Sequence, residues 1–226
     1  MKHGKKYSES VKTYDTEATF ELNEALGLVK SLSKAKFDET VDLSVKVNLK
    51  KSQSVRDTVI LPNQFRGEKK ILVFCKPEKE KEAQEAGAVY VGADELIEKV
   101  RAGWTDFDVA VATPDMMKDV GKLGMVLGRK GLMPNPKTGT VTFDLKGALA
   151  ELQKGRTEFR ADKTGVVHLA VGKVSMDAAK VAENVQTVVE EIKRKRPADA
   201  KGEFIRTVSV ASTMGPGVWV NIKDEG

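Results

Sequence analysis

The hydrophobic rhythm of this chain changes twice, and that limits the folds open to it more than any other feature. From Val41 to Leu49, apolar Val41, Leu43, Val45, Val47 and Leu49 alternate with Asp42, Ser44, Lys46 and Asn48. A period of two marks a strand with one buried face. Before it, Leu22, Ala25, Leu26, Val29 and Leu32 share one face of a helix predicted over 22–35. A second strand is predicted over 58–61, stopped by Pro62-Asn63.

Between Gly67 and Arg156 the rhythm differs. Runs apolar on both faces, at 71–75, 88–91, 107–112 and 140–143, are followed by helical stretches at 77–86, 94–102, 114–127 and 145–154. This pattern predicts a Rossmann-like, three-layer α/β module: a parallel four-stranded sheet, covered on both sides and wound right-handed. Gly87, Gly103 and Gly155 stand where such helices end. The first rhythm then returns. A strand over 166–171 precedes a helix starting near Ser175, its expected N-cap, with Val181, Val185, Val188, Val189 and Ile192 on its apolar face and Pro197 beyond its end. Two more strands, at 204–210 and 218–222, flank Gly215-Pro216-Gly217. Each flank holds about one long helix and two or three strands, a marginal core. The economical reading is a split α+β domain, 1–66 plus 157–226, carrying an inserted α/β domain, 67–156.

Composition narrows the function classes. With 40% hydrophobic and 31% charged residues, a packed core is expected and disorder is not. One cysteine excludes an internal disulfide and suits a reducing compartment, and Cys75 reads as a buried strand thiol. His3 and His168 are too few and too far apart for a histidine zinc site, and no metal or other cofactor is expected. The basic N-terminus lacks an apolar signal core, and no apolar stretch reaches the length of a membrane helix. A cytoplasmic protein, monomeric when free, is expected. The net charge is +5, of which the two outer segments together carry +4. That excess hints at a polyanion without naming one.

Enzyme readings fare poorly. The turn after the first strand of the module, Lys76-Pro77-Glu78-Lys79-Glu80, has no glycine for a dinucleotide pyrophosphate, and its helix is acidic. The segment from Gly131 to Thr138 approaches a phosphate-binding loop, but Pro136 replaces its last glycine and offers no N–H. Thr113-Pro114-Asp115 reads as a helix start, with Thr113 as N-cap. Gly121, Gly124, Gly128 and Gly131, among Lys122, Arg129 and Lys130, either pack tightly on the sheet or let backbone approach a phosphate. A nucleotide-binding enzyme on the module is the rival function, and a non-specific RNA chaperone a third.

Three outer clusters carry the binding chemistry. Lys36 and Phe37, before Thr40, offer a cation and a ring on which a splayed base could stack. Lys163 and Thr164, with Gly165, make a turn with one cation and one hydroxyl, leading to His168. Ser212, Thr213, Met214 and Gly215 form a compact surface suited to RNA backbone and 2′-hydroxyls. Each also has a plain structural reading, as core cap, hairpin turn or strand connection.

At these residues the sequence resembles the large-subunit ribosomal protein L-one family, bacterial type. Matching stretches are His3-Gly4-Lys5, Ala35-Lys36-Phe37-Asp38-Glu39-Thr40, Gly103-Trp104 with Asp106-Phe107-Asp108, and Ala112-Thr113-Pro114-Asp115. Further on come Gly131-Leu132-Met133-Pro134-Asn135-Pro136-Lys137, Gly139-Thr140-Val141, Phe159-Arg160, Asp162-Lys163-Thr164-Gly165 with His168, and Thr213-Met214-Gly215-Pro216. They follow the family's order over nearly the whole chain. The resemblance implies the same split architecture, joined by a two-stranded hinge. It implies a ribosome-bound, non-enzymatic protein on a stem-loop of large-subunit ribosomal RNA, the mobile side stalk near the site where deacylated tRNA leaves. It implies repression of its own messenger RNA as well. RNA contacts then fall on Lys36, Phe37, Thr40, Lys163, Thr164, His168, Thr213, Met214 and Gly215, with Lys5 on phosphate. The stretch from Asn48 to Asp57 is shorter than the family's pattern, so no contact is assigned to Lys51 or Arg56. Phe65-Arg66 also departs from the family's glycine-rich hinge.

Overall fold

The computed structural model describes residues 4–49, 55–67, 69–197 and 202–222. Along the chain come α1 (Lys5–Val11), β1 (Thr19–Phe20), α2 (Leu22–Leu32), β2 (Thr40–Val47) and β3 (Arg56–Val59). The middle supplies β4 (Ile71–Phe74), α3 (Glu80–Glu85), β5 (Tyr90–Gly92), α4 (Asp94–Arg101), β6 (Val109–Ala112), α5 (Met117–Val120), α6 (Gly124–Lys130) and α7 (Leu145–Gln153). Then follow β7 (Thr157–Arg160), β8 (Val166–Lys173), α8 (Ala178–Arg194), β9 (Ile205–Ser212) and β10 (Gly217–Val220). These elements form two compact units, Met1–Phe65 with Glu158–Gly226, and Arg66–Thr157.

In the first unit five strands lie in the order β1-β10-β9-β2-β8. All neighbours are antiparallel except β1 and β10, which are parallel. The alternation in β2 is strict: Val41, Leu43, Val45 and Val47 are buried, and Asp42, Ser44 and Lys46 are half-buried on the other face. Helices α2 and α8 pack on the buried face. Each fully buried leucine, valine or isoleucine there, such as Leu26, Leu43, Val185 or Ile192, contributes about 1.5–3 kcal/mol. A separate two-stranded sheet pairs β3 with β7.

The start of α8 differs from expectation. Its N-cap is Asp177, whose carboxylate accepts from the Ala179 N–H at 3.4 Å. Ser175 instead donates twice to Asp38, from its amide at 3.1 Å and its hydroxyl at 2.8 Å. The hydroxyl that looked like a helix cap therefore ties down the loop before β2.

The middle unit is a parallel sheet in the order β5-β4-β6. Alternate residues of β4 enter different cores: Leu72 and Phe74 join α4, α5 and α6, and Ile71 and Val73 join α3 and α7. The sheet is thus the middle of three layers. The expected fourth strand is a correction: it shrinks to one parallel bridge, Ala112 with Val141. The cause is local. Asn135 to Thr140 folds on itself, with Thr140 Oγ1 accepting from the Asn135 amide at 2.8 Å. Asp144 already caps α7 through the Gly147 N–H at 3.0 Å, so no length remains for a strand.

The helix expected over 114–127 is also corrected. It breaks into alternating 3-10 and α turns, with Gly121 and Gly124 at the joints. A Cβ at Gly121, Gly124 or Gly128 would meet nothing within 4 Å, so tight packing on the sheet does not explain these glycines. Gly87, Gly103 and Gly155 each follow a helix with φ of +90°, +103° and +84°, as their positions predicted. Thr113 holds the N-cap position, but its hydroxyl caps nothing and is buried without a hydrogen bond. Cys75 is fully buried, and burial pushes its thiol up to about 11, so it stays protonated near neutral pH.

Candidate nucleic-acid interface

The loop from Ser33 to Glu39 enters β2, and the loop from Thr213 to Pro216 joins β9 to β10. Because Val41 pairs with Ser212, both loops leave the sheet at the same end. One side chain joins them. Glu39 is fully buried, and its Oε1 accepts from Ser33 Oγ at 2.5 Å and the Ala35 amide at 3.1 Å. Its Oε2 accepts from the Met214 amide at 2.9 Å. Burial alone would raise this carboxyl, but the hydrogen bonds from Ser33, Met214 and Ala35 outweigh it and hold the pKa at about 2. The pair Thr40 and Thr213 adds a second clasp. The Thr213 hydroxyl accepts from the Thr40 amide at 2.9 Å, and the Thr213 amide donates to the Thr40 carbonyl at 3.0 Å.

These bonds sort the expected contact residues. Phe37 and Met214 stand on the two clasped loops with 56% and 65% of their surface exposed. Lys36 is exposed beside Phe37. Thr213 and Thr40 spend their hydroxyls internally, Thr40 accepting from Lys173 Nζ at 2.9 Å. Ser212 is 3% exposed and does not share the surface. It lies under Gly215, where any Cβ would collide with Ser212 Oγ. Glycine therefore lets the loop fold over its own strand end. Lys5 lies on exposed α1, one turn before Glu9, which faces Lys34 of the first loop at 3.8 Å.

The Lys163-Thr164 turn is elsewhere. Lys173 of β8 pairs with Thr40, and Val166 pairs with Lys46, so this turn lies at the opposite end of β2, about 20 Å away. Asp162 organises it, accepting from the Thr164 amide and the Val166 amide, both at 2.8 Å. The Val166 N–H and then the Thr164 hydroxyl hold the Asp162 carboxyl below its usual range. Gly165 has φ +79°, and a Cβ there would stand 2.8 Å from the Val47 carbonyl, so the turn requires glycine on both counts. Lys46 Nζ donates to the Thr164 carbonyl. His168 is midway, exposed on the open face of the sheet, with Nδ1 3.0 Å from Ser44 Oγ. The expected residues thus form two ends and a middle of one sheet face, rather than one cluster.

Glu39, Asp38 and Lys173 carry this geometry and were not among the expected contacts. A carboxylate in a loop between lysines reads as a solvated charge, and no spacing in the sequence links it to Met214. Lys51 and His3 lie outside the described residues.

The protein-family comparison matches residues 29–216 to the Ribosomal protein L1p/L10e family. The chain belongs to that family. It is 66% identical over 223 residues to a large ribosomal subunit protein uL1 of Treponema denticola, covering 99% of each chain. It is 59% identical over 225 residues to one of Treponema pallidum, covering 100% of each, and 55% identical over 220 residues to one of Borrelia hermsii, covering 97% of this chain and 98% of that one. The family match spans both clasped loops, the Lys163-Thr164 turn and the whole middle unit. Among the described residues no group of histidine, cysteine, aspartate or glutamate could hold a metal ion, and no helix is long and apolar enough to cross a membrane.

Proposed function

We propose that this chain is a structural, non-catalytic protein of the large ribosomal subunit that binds ribosomal RNA through the outer unit. The observation that carries the reading is the pair of exposed apolar side chains, Phe37 and Met214, on loops fixed by one buried carboxylate. Ordering such loops before binding removes an entropic cost, so a shape-matched RNA gains affinity from them. Lys36 at one end of the face and Lys163 at the other then meet phosphates of one RNA about 20 Å long across β2. We take that RNA to be the side-stalk stem-loop that the family resemblance implies. We extend the proposal to two finer roles: assisting departure of deacylated tRNA from the exit site, and repressing its own messenger RNA, whose leader would mimic the stem-loop. A cytoplasmic, ribosome-bound location follows from the same reading.

Competition between a stalk stem-loop fragment and random RNA of equal length tests the core claim. Tighter binding of the fragment by a factor of at least about 10³ is expected, the lower end for specific recognition by analogy with DNA sites. Equal affinity would return the protein to the class of RNA chaperones. A second expectation concerns charge. The outer segments carry only +4. The slope of log K against log salt should therefore be no steeper than about −4. A far steeper slope would mean that phosphate contacts, not fit, dominate. Met214→Ala should weaken fragment binding by about 1–3 kcal/mol while leaving the thermal midpoint unchanged, because the side chain is exposed in the free protein. Wild-type affinity in that variant would remove the second loop from the site.

A further inference from the structure

The open face of the sheet holds one aromatic side chain that the proposed contacts leave unused. Trp219 is 40% exposed. It lies in a continuous row across all five strands: Thr19 pairs with Trp219, Trp219 with Ser209, Ser209 with Ser44, and Ser44 with His168. Every member of that row is exposed or half-buried. Beside Trp219 a cavity of about 360 Å³ opens at the end of β9 and β10, its lining including Thr19, Thr207, the carboxylates of Glu17 and Glu203, the cations of Lys193 and Arg206, and the tryptophan itself. That volume falls in the range of small-ligand sites, roughly 300–1,000 Å³.

The position of the cavity connects it to the proposed RNA surface. Thr207 pairs with Lys46, and Lys46 pairs with Val166 and holds the Thr164 carbonyl. Thr207 is therefore two strand spacings, about 10 Å, and Trp219 three, about 14 Å, from the strand that follows the Lys163-Thr164 turn. An RNA backbone following that turn passes within reach of the cavity. The lining then selects the part of the RNA. Its two carboxylates, Glu17 and Glu203, are balanced by two cations, Lys193 and Arg206, so it carries no net charge to draw a phosphate, while the indole, the hydroxyls and the carboxylates suit a neutral heterocycle with amino groups.

We infer that the cavity beside Trp219 is a nucleobase subsite, in which an unpaired, amino-bearing base of the bound RNA stacks on the indole. The inference rests on the proposed function and adds a contact on the face between its two ends. The chain has two tryptophans, and Trp104 packs edge-on to Tyr90 in the middle unit at 4.8 Å. A full-length Trp104→Phe protein therefore reports Trp219 emission alone.

The probe is the stalk stem-loop fragment, with each unpaired nucleotide replaced in turn by an abasic one. Binding of the intact fragment should quench Trp219 emission. Trp219→Ala should loosen the fragment by about 5–100-fold, the range for loss of one stacked base. Trp219→Phe should stay within about threefold of wild type, since a ring remains. One abasic position should abolish the quenching, and there Trp219→Ala should cost nothing more. Unquenched emission with wild-type affinity in Trp219→Ala, while Met214→Ala still loosens the fragment, overturns the subsite and leaves the proposed function standing. Failure of the wild-type protein to prefer the fragment over random RNA overturns both. Full RNA affinity in Trp219→Ala with weaker retention in assembled large subunits would assign the face to a protein neighbour and also overturn the subsite.

Discussion

Glu39→Gln is expected to weaken cognate RNA binding at least about tenfold and to lower stability by about 2–3 kcal/mol at neutral pH. Glutamine fills the same space but cannot make the same bonds. The carboxylate accepts from Ser33 and Ala35 on one oxygen and from Met214 on the other. An amide must turn its NH₂ toward one of those sets, placing donor against donor in a fully buried position. One of the two loops is then released, and RNA binding must supply the order that the wild-type protein already has. The pH dependence separates this from simple misfit. The folded carboxyl titrates at about 2, below its usual value of 4.5. Its stabilisation is therefore full above about pH 4.5 and is lost as pH falls through about 2. Urea midpoints of the two proteins should differ at pH 7 and at pH 5, then converge toward pH 2. A gap that stays constant over that range, or no gap at pH 7, would mean the charge does not hold the loops.

Where the sequence was readable, period alone was enough. The two-residue alternation of 41–49 and the doubly apolar runs at 71–75 and 107–112 became β2, β4 and β6, because burial on one or both faces dictates those patterns. The run at 140–143 looked similar and became a single bridge. Its fate was set by Asn135 and Asp144, whose side chains bond to nearby backbone more favourably than a strand could. Short elements were lost for another reason: α1 and the two-residue β1 have too few turns or pairs to leave a period. The candidate site was legible as motifs and not as geometry. Phe37 and Met214 announce themselves as apolar residues at loop tips. Their common support does not, since Glu39 and Met214 lie 175 positions apart and meet only through the register of β2 with β9.

Asn184 was hidden in the same way, and its replacement is expected to be the most damaging single change in the outer unit. It lies on the apolar face of α8, among Val181, Val185 and Val188, and is fully buried. Its Nδ2 donates to the Asn63 carbonyl at 2.8 Å and to the Val171 carbonyl at 2.7 Å, and its Oδ1 accepts from the Asn63 amide at 3.0 Å. Each bond answers a backbone group without a strand partner. Val171 is the extra residue of a β-bulge, between Ala170 paired with Asp42 and Gly172 paired with Val41. Asn63 is in the turn where the chain leaves β3. In Asn184→Leu those backbone groups cannot be removed along with the amide, so the usual compensation of an apolar replacement is missing. Two or three polar groups at about 1–3 kcal/mol each should cost roughly 3–5 kcal/mol, a large share of the 5–15 kcal/mol typical of a domain. Asn184→Asp separates the bonds: it can still accept from the Asn63 amide but can donate to neither carbonyl, and it should be nearly as unstable. Urea unfolding of the three proteins measures this directly, and a leucine variant as stable as wild type would show that the bulge finds its partners elsewhere.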